Sequence, residues 1–167
     1  MSLTMYQASI PVFVRMLGVL SKVLDKGAAF AEARKIDPAV LVNARLAPDM
    51  LPLSRQVQIA GDMVMRGAAR LAGASFPNNP DTEASFPELK ERIAKTLRFL
   101  DGISAKEIDG SEERPISIKV GDQDLNFKGQ DYLRFFVLPN LYFHVTAAYL
   151  ILRHNGVELG KRDFLGM

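Results

Sequence analysis

The sequence predicts a mainly all-α fold, a four-helix bundle with one small β-hairpin inserted between the third and fourth long helices. Three observations carry this. Four separate stretches repeat apolar residues at spacings of three and four. Only one stretch, Ile116 to Phe127, alternates with period two. Gly, Pro, Asn and Asp fall between these stretches, where turns are needed. Helices of this length joined by short connections bury their apolar stripes against one another.

The first helix is expected from about Thr4 to Lys26, with Ile10, Phe13, Leu17, Leu20 and Leu24 on the core-facing stripe. Pro11 either kinks it or sits in its first regular turn after a Ser9 cap, and Gly27 is a natural stop. Ala28 to Lys35 then reads as a short helix, and Asp37-Pro38 opens another, with aspartate as N-cap and proline at the first helical position. Asp49 is the expected cap of the second long helix, Met50 to Ala72, which Gly73 ends. One stripe of that helix is apolar (Val57, Val64, Ala68, Leu71). The other, Leu51, Gln58, Asp62, Met65 and Ala69, carries two polar residues four apart.

Ala74 to Ala84 reads as a loop, and Ser85-Phe86-Pro87-Glu88 as a capping box for a third helix reaching about Leu100. Glu88–Arg92 and Glu91–Lys95 are expected as solvated i,i+4 pairs, each worth only about 0.3–0.5 kcal/mol. In the hairpin, Ile116, Ile118 and Val120 face Leu125 and Phe127 across Gly121-Asp122-Gln123, and an isolated hairpin needs the helices to cover its apolar face. Gly129 releases the chain into the fourth helix, with a bend at Pro139 and a stop at Asn155-Gly156. The tail, Val157–Met167, is expected to be irregular, with Leu159, Phe164 and Leu165 folding it back onto the bundle.

A chain of 167 residues is expected to form a single domain, residues 1–167, with a real core. Hydrophobic content of 48% and charged content of 24% argue against disorder, and a net charge of +2 argues against nucleic-acid binding. The chain has no cysteine, which excludes disulfides, thiolate metal sites and cysteine nucleophiles. The N-terminus lacks a basic n-region and Arg15 interrupts its first apolar stretch, so no signal peptide is expected and the cytoplasm is the predicted location. Phe135 to Leu152 holds no charged residue, long enough to reach the lower limit for a membrane span. Pro139, Asn140 and His144 near its middle favour a buried core helix instead, and no second span is expected.

The candidate chemistry lies on two helices. Asn140 and His144, four apart, share one face of the fourth helix, and Gln58 and Asp62 share a face of the second. If those faces meet, three readings are open. A metal site would use His144 and Asp62, with Asn140 or Gln58 as weaker oxygen donors. A metal-free site would use Asp62 to orient His144 as a general base, or bind a small molecule. The plainest alternative is a buried hydrogen-bond network that sets helix register. His154, in the last helical turn, is explained by the helix dipole. Lys161, Asp163 and Arg153 near the C-terminus are read as surface charges, with contact to an anionic substrate as the alternative, and Tyr6, Tyr142 and Tyr149 as core or rim aromatics. No phosphate loop, GxSxG, HExxH or dinucleotide fingerprint is present.

Three stretches together, PDMLPLSRQVQIAGD, PNLYFHVTAAYLILRHNGV and GKRDFLG, give the chain a resemblance over nearly its whole length to an uncharacterised bacterial family, domain of unknown function nineteen-ninety-three. That family is similar to the DinB/YfiT-like four-helix-bundle superfamily, which the resemblance associates with metalloenzymes. The resemblance implies the bundle fold and a homodimer. In the superfamily, one histidine on the second helix and an HxxxH pair on the fourth bind a divalent metal such as zinc or nickel, and some members transfer small thiols. Here the pair stands as Asn140-xxx-His144, and Gln58 or Asp62 occupies the region of the second-helix histidine, so one ligand of three is kept. The expected function is therefore a polar inter-helical pocket of Gln58, Asp62, Asn140 and His144 that binds a small molecule or a divalent metal. Its alternatives are a non-catalytic dimeric protein with a core polar network, or a degenerate relative of the metal-dependent thiol transferases. Neither nucleic acid nor membrane is expected as a partner.

Overall fold

Four long helices pack around one apolar core, with the predicted hairpin leaning on them. The computed structural model describes residues 3–167. The chain runs α1 (Met5–Arg34), α2 (Pro38–Val42), α3 (Leu53–Ala72), α4 (Phe86–Asp101), α5 (Ala105–Ile108), β1 (Pro115–Val120), β2 (Gln123–Lys128), α6 (Gly129–Tyr132), a π-helical turn (Leu133–Val137), α7 (Leu138–His154) and α8 (Lys161–Leu165). The fully buried layer includes Leu17, Leu20 and Leu24 of α1, Leu53 and Val57 of α3, Leu89 and Ile93 of α4, and Leu141 and Ile151 of α7. Leu17, Leu20, Leu24 and Val57 are among the positions at helical spacing that predicted the bundle.

Several boundaries differ from expectation, each for a local reason. The cap of α1 is Thr4, not Ser9: its hydroxyl accepts from the Gln7 amide at 3.2 Å while Gln7 Oε1 accepts from the Thr4 amide. Ser9 is already inside the helix, its hydroxyl donating to Met5 O at 2.7 Å. Gly27 does not stop α1, which continues as one helix to Arg34 and ends at Lys35 in the left-handed region. A methyl group on Gly27 would lie 3.1 Å from both Leu152 and Phe86. Glycine there lets α7 and the start of α4 approach, which offsets its helix-propensity cost of about 1 kcal/mol.

Helix α3 begins at Leu53, later than Met50, and Pro52 rather than Asp49 stands at its N-cap. A residue before proline is pushed out of the helical region, and Leu51 lies outside the helix. Asp37 does cap α2, accepting from the Ala39 amide at 2.9 Å, and Gly73 (φ +70°) ends α3. Ser85 accepts from the Glu88 amide, and Glu88 reaches back to the Ala84 amide and the Ser85 hydroxyl. The tail is not irregular: Lys161–Leu165 forms one helical turn, with Asp163 accepting from the Gly160 amide at 2.8 Å and pairing with Lys26 at 2.6 Å.

The hairpin pairs Ile116 with Phe127 and Ile118 with Leu125 around a two-residue Gly121-Asp122 turn, with Gln123 belonging to β2. Ile116 and Ile118 are buried, while Val120 is exposed. Where a bend is expected at Pro139, a π turn lies just before the proline. Proline has no amide hydrogen to donate and its ring crowds the carbonyl four residues earlier, so the chain widens by one residue there.

Helices α3 and α7 run in opposite directions, since Gly67 meets Val137 and Gln56 meets His144. A methyl on Gly67 would lie 2.8 Å from a Val137 methyl, so the helices touch there almost backbone to side chain. The segment Gly129–His154 is long and apolar enough to cross a membrane, and, contrary to expectation, α1 is too. Both lie in the bundle, with Phe13, Leu17, Leu20 and Leu24 of the one and Leu141, Val145 and Ile151 of the other buried in the shared core. That is how core helices of a soluble bundle are used.

Candidate functional site

The most heavily engaged charged group in the molecule is one the sequence assigns to solvent. Arg92 projects inward from α4 with its side chain 2% exposed. Its Nη2 donates to Asp62 Oδ1 at 2.7 Å and Asp81 Oδ1 at 2.9 Å. Its Nη1 donates to Glu83 Oε1 at 3.0 Å, Glu83 Oε2 at 3.1 Å and Pro80 O at 3.1 Å. Desolvation works against the guanidinium charge, but the hydrogen bonds and charges of Glu83 and Asp62 outweigh it and raise the pKa of Arg92 above its ordinary value. The expected Glu88–Arg92 pair does not form, and Glu91 pairs with Arg98 rather than Lys95. Arg92 follows the buried Leu89 by three and precedes the buried Thr96 by four, which puts it on the core-facing side of α4.

Around this hub lies a ring of alternating charge. Asp62 Oδ2 accepts from Arg66 Nη2 at 2.9 Å. Asp81 pairs with Arg55, whose Nη1 also donates to Gln58 Oε1 at 2.8 Å. Gln58 Nε2 donates to Glu83 Oε2 at 2.9 Å. Burial pushes the Asp81 carboxyl up, but the hydrogen bond and charge of Arg55, then those of Arg92, reverse this and hold it below the usual carboxylate range. The ring ties the α3–α4 loop, which supplies Asp81 and Glu83, onto α3 and α4.

Beside the ring, a cleft of about 400 Å³ opens between α3, the start of α7 and β1. Asp62 and Asn140 both line it; Gln58 and His144 do not. Asn140 Nδ2 donates to Phe136 O at 2.7 Å. The apolar part of the wall includes Ile59, Met63, Phe136 and Val120.

His144 is buried one helical turn further on. Gln56 Nε2 donates to Leu51 O at 3.0 Å, which fixes the orientation of that amide. Its Oε1 therefore faces His144 Nδ1, at 2.7 Å, as an acceptor, so Nδ1 carries the ring hydrogen and Nε2 the lone pair. Burial lowers the imidazole pKa and favours the neutral ring. The expected partnership of Asp62 with His144 is thus replaced on both sides, by Arg66 and Arg92 for the carboxylate and by Gln56 for the imidazole. Gln56 was not singled out by the sequence, although it too belongs to a buried face of α3.

The ligand set implied for a divalent metal does not fit these residues. Both oxygens of Asp62 are taken by guanidinium groups, and a cation placed there would meet two positive charges at hydrogen-bond range. Gln58 is spent on Arg55 and Glu83. Among the described residues, no group of three or more His, Asp or Glu side chains is arranged to hold a metal ion. Arg92 supplies internally the positive charge that three converging carboxylates would otherwise demand.

A helical bundle with a two-stranded insertion and this α3–α7 seam is the DinB-type architecture. A crystal structure of a DinB family member protein from Shewanella denitrificans matches it with a TM-score of 0.89 and 43% sequence identity, covering 97% of this chain and 92% of that one. Residues 5–165 match the family described as Domain of unknown function (DUF1993), and the chain belongs to that family. No match was found among curated proteins.

Proposed function

We propose that this protein binds a small molecule in the cleft between α3, α7 and β1, with Asp62 and Asn140 as its polar floor. The observation that carries the reading is the cleft itself: its volume of about 400 Å³ lies within the roughly 300–1,000 Å³ of ligand sites, and it combines apolar walls with a few convergent polar groups. The Arg92 ring would hold the loop wall in place and leave Asn140 Oδ1 free to accept from a ligand. A fragment screen by two-dimensional NMR tests this. Fragments that bind should shift the Asn140 side-chain amide and the Ile59 and Val120 resonances, and Ile59→Trp, which fills the cleft, should abolish the shifts. Fragments that gather only elsewhere would sink the reading. Elemental analysis of protein purified without chelator or affinity metal accompanies it, and zinc or nickel near one per chain would overturn the metal-free part.

A second reading, a homodimer, is supported by the outer face of α7. Phe135 in the preceding π turn and Tyr142, Phe143 and Leu150 of α7 are exposed, as two pairs each seven residues apart (Phe135 and Tyr142, Phe143 and Leu150). A second copy presenting the same residues would cover them isologously. Sedimentation equilibrium should give a dimer that Phe143→Lys dissociates; a monomer at all concentrations would refute it.

A further inference from the structure

Charge accounting around the cleft leaves a surplus that the folded chain does not use. Six charged side chains line it: Arg55, Arg66, Arg70 and Lys119 against Asp62 and Asp81. Arg55 is paired with Asp81 and Arg66 with Asp62. That consumes both carboxylates. Among the described residues, neither Arg70 nor Lys119 takes part in an ion pair. Arg70 is held in place without being neutralised: its Nη1 donates to the buried Tyr132 hydroxyl at 2.8 Å, and its guanidinium lies 5.5 Å from the Phe76 ring centre and 5.9 Å from that of Tyr132. Arg66 has a further unspent donor, a buried Nε with no hydrogen-bond partner.

We infer that the cleft takes a small organic anion, a carboxylate or phosphate carried on an apolar body, with its charged group held by Arg70 and Lys119. The inference rests on the cleft reading above and assigns it a ligand class. An arginine fork locked by aromatic packing is preorganised for a planar or tetrahedral oxyanion, so little side-chain entropy is lost on binding. The exposed Lys119 on β1 reaches the same space as a flexible point charge. Ile59, Met63, Phe136 and Val120 accommodate the apolar body. The Asp62–Arg66 and Asp81–Arg55 ion pairs keep Asp62 and Asp81 from repelling an anion, because each carboxylate is already covered by arginine.

The test uses three probes of similar size on the full chain: phenyl phosphate, 3-phenylpropionate and the neutral 3-phenylpropanol. Each is titrated by two-dimensional NMR, with the Arg70 Nε–H signal included. Both anions should shift Arg70, Lys119 and Val120 and bind at least about tenfold more tightly than the alcohol, the worth of one charge contact in a partly solvated site. Their affinity should fall as salt is raised. Lys119→Gln, on an exposed strand position that cannot unfold the bundle, should weaken both anions by about tenfold while leaving the alcohol unchanged. Arg70→Gln should do the same more strongly. An alcohol that binds the cleft as tightly as the anions, or anion binding indifferent to Lys119→Gln and Arg70→Gln, overturns the ligand class and leaves the cleft reading standing. Silence from all three probes overturns the ligand class as well, and the cleft reading falls with it only if the fragment screen is silent too.

Discussion

Replacing Arg92 by leucine is the sharpest perturbation the structure offers. The guanidinium holds three carboxylates, and the cost of removing it is the cost of leaving them without their shared cation. Asp81 is 38% exposed, so its share is small. Asp62 and Glu83 are 16% and 15% exposed and lose charge-assisted bonds of 2.7 to 3.1 Å. Each such bond is worth roughly 1.5–3 kcal/mol, and two give a loss of about 3–6 kcal/mol, which brackets the roughly 3–5 kcal/mol seen when one partner of a buried ion pair is removed. The residual partners, Arg66 for Asp62 and Gln58 for Glu83, place the expected value toward the lower end. Urea unfolding followed by circular dichroism at neutral pH measures it. Combining Arg92→Leu with Asp62→Leu should cost less than the two single changes added, because the double variant strands one carboxylate fewer. The pH dependence adds a check. Asp81 has a folded pKa below its ordinary value of 3.8, so its stabilising contribution is complete above about that pH and is lost as pH falls through the folded value. The gap between wild type and Arg92→Leu should therefore narrow in that acid window. A loss below about 1 kcal/mol, or no coupling between Arg92 and Asp62, would show the ring to be an ordinary solvated cluster and refute the reasoning.

Three further outcomes are expected. His144 should titrate below its ordinary value of 6.5 because it is buried, so wild-type stability should decline as pH falls through about 6.5 toward the folded pKa, a slope that His144→Gln removes; an imidazole titration above 6.5 by NMR would contradict this. Gln56→Leu should cost about 1–3 kcal/mol by stranding the His144 Nδ1 donor, and a nitrogen-15 spectrum of the ring should show Nδ1 protonated in the wild type. Gly67→Ala should cost about 1–3 kcal/mol through the overlap with Val137, read as a lowered midpoint in urea, and an unchanged midpoint would mean that the α3–α7 seam opens more easily than its geometry implies.

The candidate site was only partly legible in the sequence. The polar positions Gln58, Asp62, Asn140 and His144 stand out because each interrupts an apolar stripe, but only Asp62 and Asn140 share the cleft, while Gln58 turns to Arg55 and Glu83 and His144 to Gln56. Their partners were not legible. Asp62 meets Arg92 from 30 residues away, Gln58 meets Glu83 from 25 and His144 meets Gln56 from 88. Arg92 looked solvated because Glu88 stands one turn before it, and a local pairing rule cannot see that a loop will bring Asp81 and Glu83 over it.

By itself, the sequence determined what depends on neighbours a few residues apart. The helical periods, the existence of the hairpin between Ile116 and Phe127, the caps at Asp37 and Ser85 and the stop at Gly73 are all satisfied by short-range hydrogen bonds and backbone preferences. Tertiary structure decided what depends on approach distance. Gly27 continues a helix because Leu152 and Phe86 need the space its missing side chain leaves. Arg92 turns inward because three carboxylates converge there and offset its desolvation. Asn140 and His144, one turn apart on the same helix, are parted because α3 presents a cleft to the first and Gln56 to the second.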